Sequence, residues 1–414
     1  MVCNLGAFSA LFTAAFIFLT GNGLLNTLLS ARLATEGFDT TTTGMVLSCY
    51  FAGLLIGSFA CHRVIQRVGH IRAFAIFAAT TTAAALIYSL YLSPWLWGVL
   101  RLANGVTTFG LFMVIESWLN ECTESGFRGR VFSIYMTLTY LGIGIGQQLL
   151  NVADISGREL FIIAGVIFSV CLVPVSATEG VHPSLPETKP YRFMAIFRRA
   201  PLGMLGSMAA GLTNSAFYTM MPVVCTDIGM DVTRLSWIMS VTVFAGLAAQ
   251  WGVGKLSDRF DRTLVLFVTV SAVAGLSAVI VLGRPASFWG LALPMGLFGA
   301  MAFTVYPVAV ARAHDVFGGR DAVAVSAGLL FAYSIGACAS PTLASVIMTM
   351  IDSPFGLFAF WLLVNGGFAL TTLYLRTREK IAVVPVADQV AFVPMKNTSP
   401  VVMALDPRGR INGQ

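Results

Sequence analysis

Charge is what this sequence has least of. Only 11% of its 414 residues are Asp, Glu, Lys or Arg, against roughly a quarter in a soluble globular domain. The apolar share is 57%, more than a water-soluble fold of this length can bury. A cytosolic enzyme, a secreted domain and a nucleic-acid binder are excluded on this ground. Paired cysteines are also missing. Cys3, Cys49, Cys61, Cys122, Cys171, Cys225 and Cys338 form no C-x-x-C pair and mostly sit in or beside apolar runs, so they read as small hydrophobes. The four histidines, His62, His70, His182 and His314, lie in or beside basic connections. No His, Cys or carboxylate cluster stands inside an apolar run, so no metal, no cofactor and no enzymatic centre is expected. No phosphate-cradling loop of the Walker type occurs, which excludes direct use of ATP. The first residues carry no basic n-region and no cleavage site, so the first apolar run reads as a retained span rather than a signal peptide.

What is present is a series of apolar runs long enough to cross a bilayer, at about 20 residues per span. Twelve are expected, near 6–30, 42–62, 72–92, 95–119, 129–150, 158–177, 200–225, 232–254, 263–282, 287–313, 321–349 and 354–376. The fold class is therefore an all-α membrane protein of twelve transmembrane helices. The net charge of +6 is explained by loop placement, since cytoplasmic loops collect Lys and Arg. Twenty of the 25 basic residues fall in the even-to-odd connections and the C-terminal tail, and four fall in the odd-to-even connections. That asymmetry places both termini in the cytoplasm and the chain in a plasma (inner) membrane as a multi-pass protein. Six of the seven tryptophans (Trp95, Trp97, Trp118, Trp237, Trp251 and Trp289) fall near segment ends, where interfacial belts form.

The chain also repeats itself. The longest polar connection, 178–199, divides twelve spans into six and six. The expected organisation is an N-terminal six-helix bundle over 1–177, a cytoplasmic linker over 178–199, a C-terminal six-helix bundle over 200–376 and a flexible cytoplasmic tail over 377–414, with docking of that tail on the cytoplasmic face as the alternative. At an offset of 192, Asn22 maps onto Asn214, Asn26 onto Tyr218, Arg63 onto Lys255 and Arg67 onto Arg259. Parallel repeats of this kind build many secondary transporters.

Two loops then carry a resemblance. His62-Arg-Val-Ile-Gln66-Arg67-Val-Gly69-His70-Ile-Arg72 resembles the G-x-x-x-D-R-x-G-R/K-x-R/K signature of the major facilitator superfamily, and Gly254-Lys-Leu-Ser-Asp258-Arg259-Phe-Asp261-Arg262 is a better copy. Arg101-Leu-Ala-Asn-Gly105 is similar to that superfamily's second signature. Val114-Ile-Glu116-Ser-Trp, Tyr140-Leu-Gly-Ile-Gly-Ile-Gly146-Gln147 and Phe303-Thr-Val-Tyr306-Pro307 resemble the bacterial YcaD-type subfamily. The resemblance implies the major facilitator fold, two six-helix bundles, with segments 1, 4, 7 and 10 lining a central cavity. It further implies cytoplasmic gating by Arg63, Arg67, Gly69, Glu121, Asp258, Arg259 and Arg262. Gln66 departs from the signature where the first copy usually has Asp, so the second loop is expected to latch more firmly.

Inside the spans only two charges remain, Arg101 and Glu116. They share a face of segment 4, about 22 Å apart along the axis, and Thr108 and Phe112 lie on the same stripe. Arg101 is expected to face the cavity, the alternative being a side chain that snorkels outward. Glu116 is expected to exchange protons, the alternative being a structural contact. Asn22 and Asn26, with Asn214, Tyr218, Tyr306 and Gln147, are expected to bind substrate, although polar residues in spans also hold helices together. The function expected is secondary transport of a small organic solute through the lipid bilayer by alternating access, coupled to protons through Glu116. The alternatives are a passive facilitator and a transporter-like membrane sensor working through the tail.

Overall fold

The computed structural model describes residues 5–123, 127–177, 193–317 and 322–377, and in the C-terminal tail 385, 389, 392, 393, 398 and 399. Its helices in the first half are α1 (Leu5–Thr35), α2 (Thr40–Val68), α3 (His70–Tyr88), α4 (Pro94–Cys122), α5 (Arg128–Gln148) and the broken pair α6 (Glu159–Val170) and α7 (Leu172–Ser176). A short α8 (Phe193–Arg199) precedes the second half. That half comprises α9 (Pro201–Asp227), α10 (Val232–Arg259), α11 (Arg262–Gly283), α12 (Phe288–Phe317), α13 (Ala322–Ile351) and α14 (Gly356–Thr377). There is no strand among the described residues. Counting α6 and α7 as one span, ten segments are long and apolar enough to cross a membrane. The two remaining expected spans, α5 and α9, have 21 and 27 residues. Both are interrupted by polar residues, among them the buried Gln147 of α5 and Asn214 of α9. The twelve expected segments all recur, extended at several ends by turns that project beyond a bilayer core. Among the described elements, the sequence pattern missed a 3-10 turn over Leu149–Val152 and α8, within the expected linker. Helix α8 is short, and its Ile196 is fully buried beside Gly328 of α13.

Local chemistry explains the helix starts. Asp39 accepts the Thr42 amide at the head of α2, Asp231 the Arg234 amide at α10, and Asp261 the Thr263 amide at α11. These are side-chain N-caps for donors that have no partner within the helix. Between α2 and α3 the single residue Gly69 holds φ at 83°, a conformation that costs a side-chained residue but not glycine. At the duplicated position the second half has Asp261, at φ −55°. The same tight turn is thus made once by backbone freedom and once by a cap.

The packing repeats with the sequence. Contacts of α1 with α5, α2 with α4, α3 with α4 and α1 with α6 recur as α9 with α13, α10 with α12, α11 with α12 and α9 with α14. The halves meet where α2 packs on α13 and where α5 packs on α10, and the duplication turns one of these pairs into the other. In lipid, helix association depends on close packing between small residues. A Cβ on Gly53 would stand 2.1 Å from the Leu102 carbonyl oxygen, and one on Gly105 would stand 2.0 Å from that of Tyr50. The backbones of α2 and α4 therefore touch. Cys122 is disulfide-bonded, which no cysteine spacing had indicated, whereas Cys49, Cys61, Cys171, Cys225 and Cys338 are free thiols.

Candidate functional site

The helices alternate in direction, so one end of the molecule carries the start of α1 and the finish of α14. The opposite end is the far end. Hydrogen bonds between the halves concentrate there and at mid-depth. Thr41 pairs with Thr349 at 3.2 Å and Ser48 with Thr342 at 2.8 Å, joining α2 to α13. Gln148 donates to the Ser240 hydroxyl at 2.8 Å and Asn151 to that of Ser236 at 2.9 Å. Deeper in, Gln250 donates to the Tyr140 hydroxyl at 2.6 Å.

Between the halves lies a cavity with about 670 Å³ of space not filled by atoms, part of it open to solvent. Helix α1 contributes Asn22, Gly23, Asn26 and Thr27, and α2 contributes Tyr50, Phe51 and Leu54. Phe112 comes from α4, Ile143 and Gln147 from α5, Tyr218 and Thr219 from α9, and Tyr333 from α13. Among the described residues, no charged side chain lines it. The wall is aromatic and apolar with three carboxamides, a surface suited to a solute with a flat or apolar body and a few polar atoms. Gln147 is fully buried, and neither atom of its carboxamide has a partner. Such a group is costly to leave unmatched.

Of the residues expected to bind substrate, Asn22, Asn26, Gln147 and Tyr218 line this cavity. Arg101 does not, which corrects the expectation that it faces the opening. It lies one layer behind, at 1% exposure, donating to Asn26 Oδ1 and stacked 4.5 Å over the Tyr50 ring. It does not snorkel either. The Asn214 carboxamide stands beside the Tyr333 hydroxyl, and Tyr306 meets the Tyr333 ring edge-on at 5.2 Å. Both support a lining residue from behind. The expectation that segments 1, 4, 7 and 10 line the cavity is likewise corrected. α12, the tenth span, contributes nothing to the lining, while α2 and α13 contribute Tyr50, Phe51, Leu54 and Tyr333. The sequence signal for Tyr50 and Tyr333 was a polar hydroxyl inside an otherwise apolar span.

Glu116 is fully buried nearer the terminal end. Its carboxylate accepts from the Tyr135 hydroxyl at 3.0 Å and from the Ser399 hydroxyl. Ser399 belongs to the tail, and other described tail residues are seated beside it. Thr398 borders a smaller void with Phe51, Leu54 and Tyr333. The Phe392 amide donates to Asp258 Oδ1 at 2.8 Å, and its ring rests against the bare face of Gly254. Of the gating candidates, Arg63, Arg67, Glu121 and Arg259 are exposed, and no ion pair joins them among the described residues. Asp258 pairs with Arg262 at 2.9 Å instead of with Arg259, and Arg262 pairs again with Asp315 at 2.6 Å. This network lies wholly within the second half.

Two six-helix halves around a shared, uncharged cavity define a membrane transporter. The chain belongs to the major facilitator superfamily, whose family model matches residues 11–341 and again 203–403. It is 31% identical over 331 residues to the uncharacterised MFS-type transporter YcaD of Salmonella newport (strain SL254), covering 78% of this chain and 84% of that protein. It is 29% identical over 334 residues to an uncharacterised MFS-type transporter of Yersinia pestis (strain Pestoides F), covering 80% and 86%. Among solved structures, the nucleoside transporter NupG shares the fold at a TM-score of 0.72 and 14% identity, covering 91% of this chain and 100% of that one. The protein is thus a multi-pass membrane transporter for a small molecule, not an enzyme.

Proposed function

We propose that the chain is a secondary active transporter that moves a small organic solute across the bacterial inner membrane by alternating access. The observation that carries this is the cavity shared by the halves, with the inter-half hydrogen bonds concentrated on one side of it. Such a geometry is one of two expected when the halves rock about a midplane site. The basic residues at the terminal end favour a cytoplasmic location for that end and for both termini. The state described is then closed toward the periplasm. The opposite state would close the cytoplasmic end, where Arg67 and Glu121 stand exposed and unpaired in readiness. Arg63, Gly69, Asp258, Arg259 and Arg262 belong to that gate. Glu116 is the proton-exchanging group in this scheme, since among the described residues it is the only acid buried in the N-terminal half.

Metabolite profiles of a deletion strain and its medium should identify a solute whose distribution changes, and the purified protein in liposomes should exchange it by counterflow. Gln147→Leu should abolish that exchange in a protein that still folds. A deletion strain with unchanged metabolites and liposomes without counterflow would overturn the proposal. The contacts of Phe392 and Ser399 with both halves favour one rival, a sensor that signals through its tail. Removing residues 377–414 separates the two, because a transporter keeps exchange and a sensor loses its output.

A further inference from the structure

The polar residues behind and around Asn22 form a one-way chain of hydrogen bonds. Its head is the Arg101 guanidinium, which is buried and has no carboxylate within ion-pair distance among the described residues. Two of its nitrogens, Nε and Nη2, have no partner. Arginine donates and never accepts, so the bond from Arg101 Nη1 fixes the carbonyl of the Asn26 side chain toward α4. The Asn26 amide nitrogen is thereby turned to Asn22, where it donates to the backbone oxygen at 2.8 Å and to the side-chain oxygen. With its oxygen taken, Asn22 presents its own amide nitrogen, which donates to the Tyr50 hydroxyl at 3.3 Å. The Tyr50 oxygen is now an acceptor, so its proton is left to donate. No described residue accepts it, and Tyr50 lines the cavity.

Each link is oriented by the one before, and the origin of the orientation is a cation. Hydrogen-bond chains of this kind polarise one another, and the guanidinium over the Tyr50 ring sends an unbalanced positive field in the same direction. The wall formed by Asn22 and Tyr50 therefore offers hydrogen-bond donors and electropositive potential. Fully buried Gln147 faces the same cavity with an unpartnered carboxamide.

We infer that the transported solute carries a carboxylate, which the Tyr50 hydroxyl and the Asn22 amide receive, and that Arg101 is the positioning residue that sets this polarity without touching the solute. The apolar remainder of the solute packs against Phe51, Phe112 and Tyr218. The inference rests on the cavity being the transport site.

Titration calorimetry on the full-length protein in nanodiscs tests it with benzoate, phenylacetate and hexanoate, each against its own carboxamide. At least one acid should bind, and roughly tenfold or more tighter than its amide, as the loss of a charge-assisted hydrogen bond predicts. Tyr50→Phe removes one oxygen and should bring the acid-to-amide ratio close to one. Arg101→Gln should do the same, Arg101→Lys should restore part of the preference, and Asn26→Asp should abolish it by neutralising the head of the chain. Binding by none of the acids, a preference for the amides, or a preference that survives Tyr50→Phe overturns the inference. Gln147→Leu separates the two levels. If it abolishes acid binding while Tyr50→Phe does not, the cavity is the site and the polarity assignment fails. If neither variant affects binding, the cavity itself is not the site.

Discussion

Replacing Gly44 by alanine should loosen the far end without disturbing either half. A Cβ on Gly44 of α2 would lie 2.2 Å from Ser345 Oγ and 2.6 Å from the Pro341 carbonyl oxygen of α13. The serine can rotate, but the carbonyl is backbone. To reach ordinary contact the two helices must part by about 0.8 Å at that point. Overpacking of this kind costs roughly 1–3 kcal/mol, and here the cost falls only on the conformer in which α2 and α13 touch. The ratio of far-end-open to far-end-closed molecules should rise roughly five- to hundredfold. Gly53→Ala is the control. Its Cβ would meet the Leu102 carbonyl oxygen at 2.1 Å, an equally hard clash, but between α2 and α4 of one half. Rigid rocking keeps that contact in both states, so Gly53→Ala should lower the melting temperature and leave the ratio unchanged. Spin labels on p-acetylphenylalanine at positions 35 and 351, exposed far-end sites in opposite halves, read the distance by double electron–electron resonance. A longer-distance population in Gly44→Ala alone is the expected result. Unchanged distances in Gly44→Ala, or equal changes in both variants, would refute the reasoning.

Three further expectations concern the charged groups. Asp315→Asn removes the buried carboxylate partner of the fully buried Arg262 and leaves it only the partly exposed Asp258, so it should cost about 3 kcal/mol. Asp258→Asn, whose side chain is 44% exposed, should cost about 1 kcal/mol or less, and equal melting shifts would contradict this. Ending the chain at residue 391 removes Ser399 from Glu116, so carbodiimide labelling of Glu116 in membranes should rise. Unchanged labelling would mean the tail does not shield it. Glu116→Gln keeps the shape of the side chain and removes its titration, so accumulation driven by a pH gradient should be lost while solute counterflow persists. Accumulation at the normal level would make Glu116 structural and favour passive movement or coupling elsewhere.

The helices were legible because each apolar run had to be long enough to satisfy its own backbone in lipid, and their boundaries are set by features readable in the chain, such as Asp39, Gly69, Asp231 and Asp261. The halves were legible through the offset of 192. Residues on the cavity were legible where a carboxamide interrupts an apolar face, as at Asn22, Asn26 and Gln147. Depth and facing were harder to read. Helical periodicity put Arg101 and Glu116 on one stripe with Phe112, but only Phe112 reaches the cavity. Arg101 is covered because Asn26 and Tyr50, from helices packed against α4, stand in front of it. Glu116 turns instead to Tyr135 and Ser399. The contributions of Tyr50 and Tyr333 depend on how α2 packs against α13, a long-range pairing that no local pattern encodes. The same is true of the seat of Phe392 beside Asp258, separated from it by 134 positions in the chain.

The duplication is faithful in the scaffold and broken in its polar contents, and the break gives the cavity a direction. Asn22 has a counterpart in Asn214, but Asn26 is answered by Tyr218 and Tyr50 by Thr242. Opposite Arg101, any register between 190 and 194 brings an apolar residue, namely Leu291, Ala292, Leu293, Pro294 or Met295. The second half therefore has no cation at the position that corresponds to Arg101. Its own carboxamide, Asn214, stands beside Tyr333 and is not among the residues that line the cavity. A solute lying between the halves meets oriented donors on the first and mainly rings and hydroxyls on the second, from Tyr218, Thr219 and Tyr333. In the alternating-access cycle proposed above, rocking would change which end of the molecule is open and leave each half internally rigid. The donor-bearing wall then travels with the first half throughout the cycle, and a polar group bound to it need not exchange partners as access switches from one side to the other.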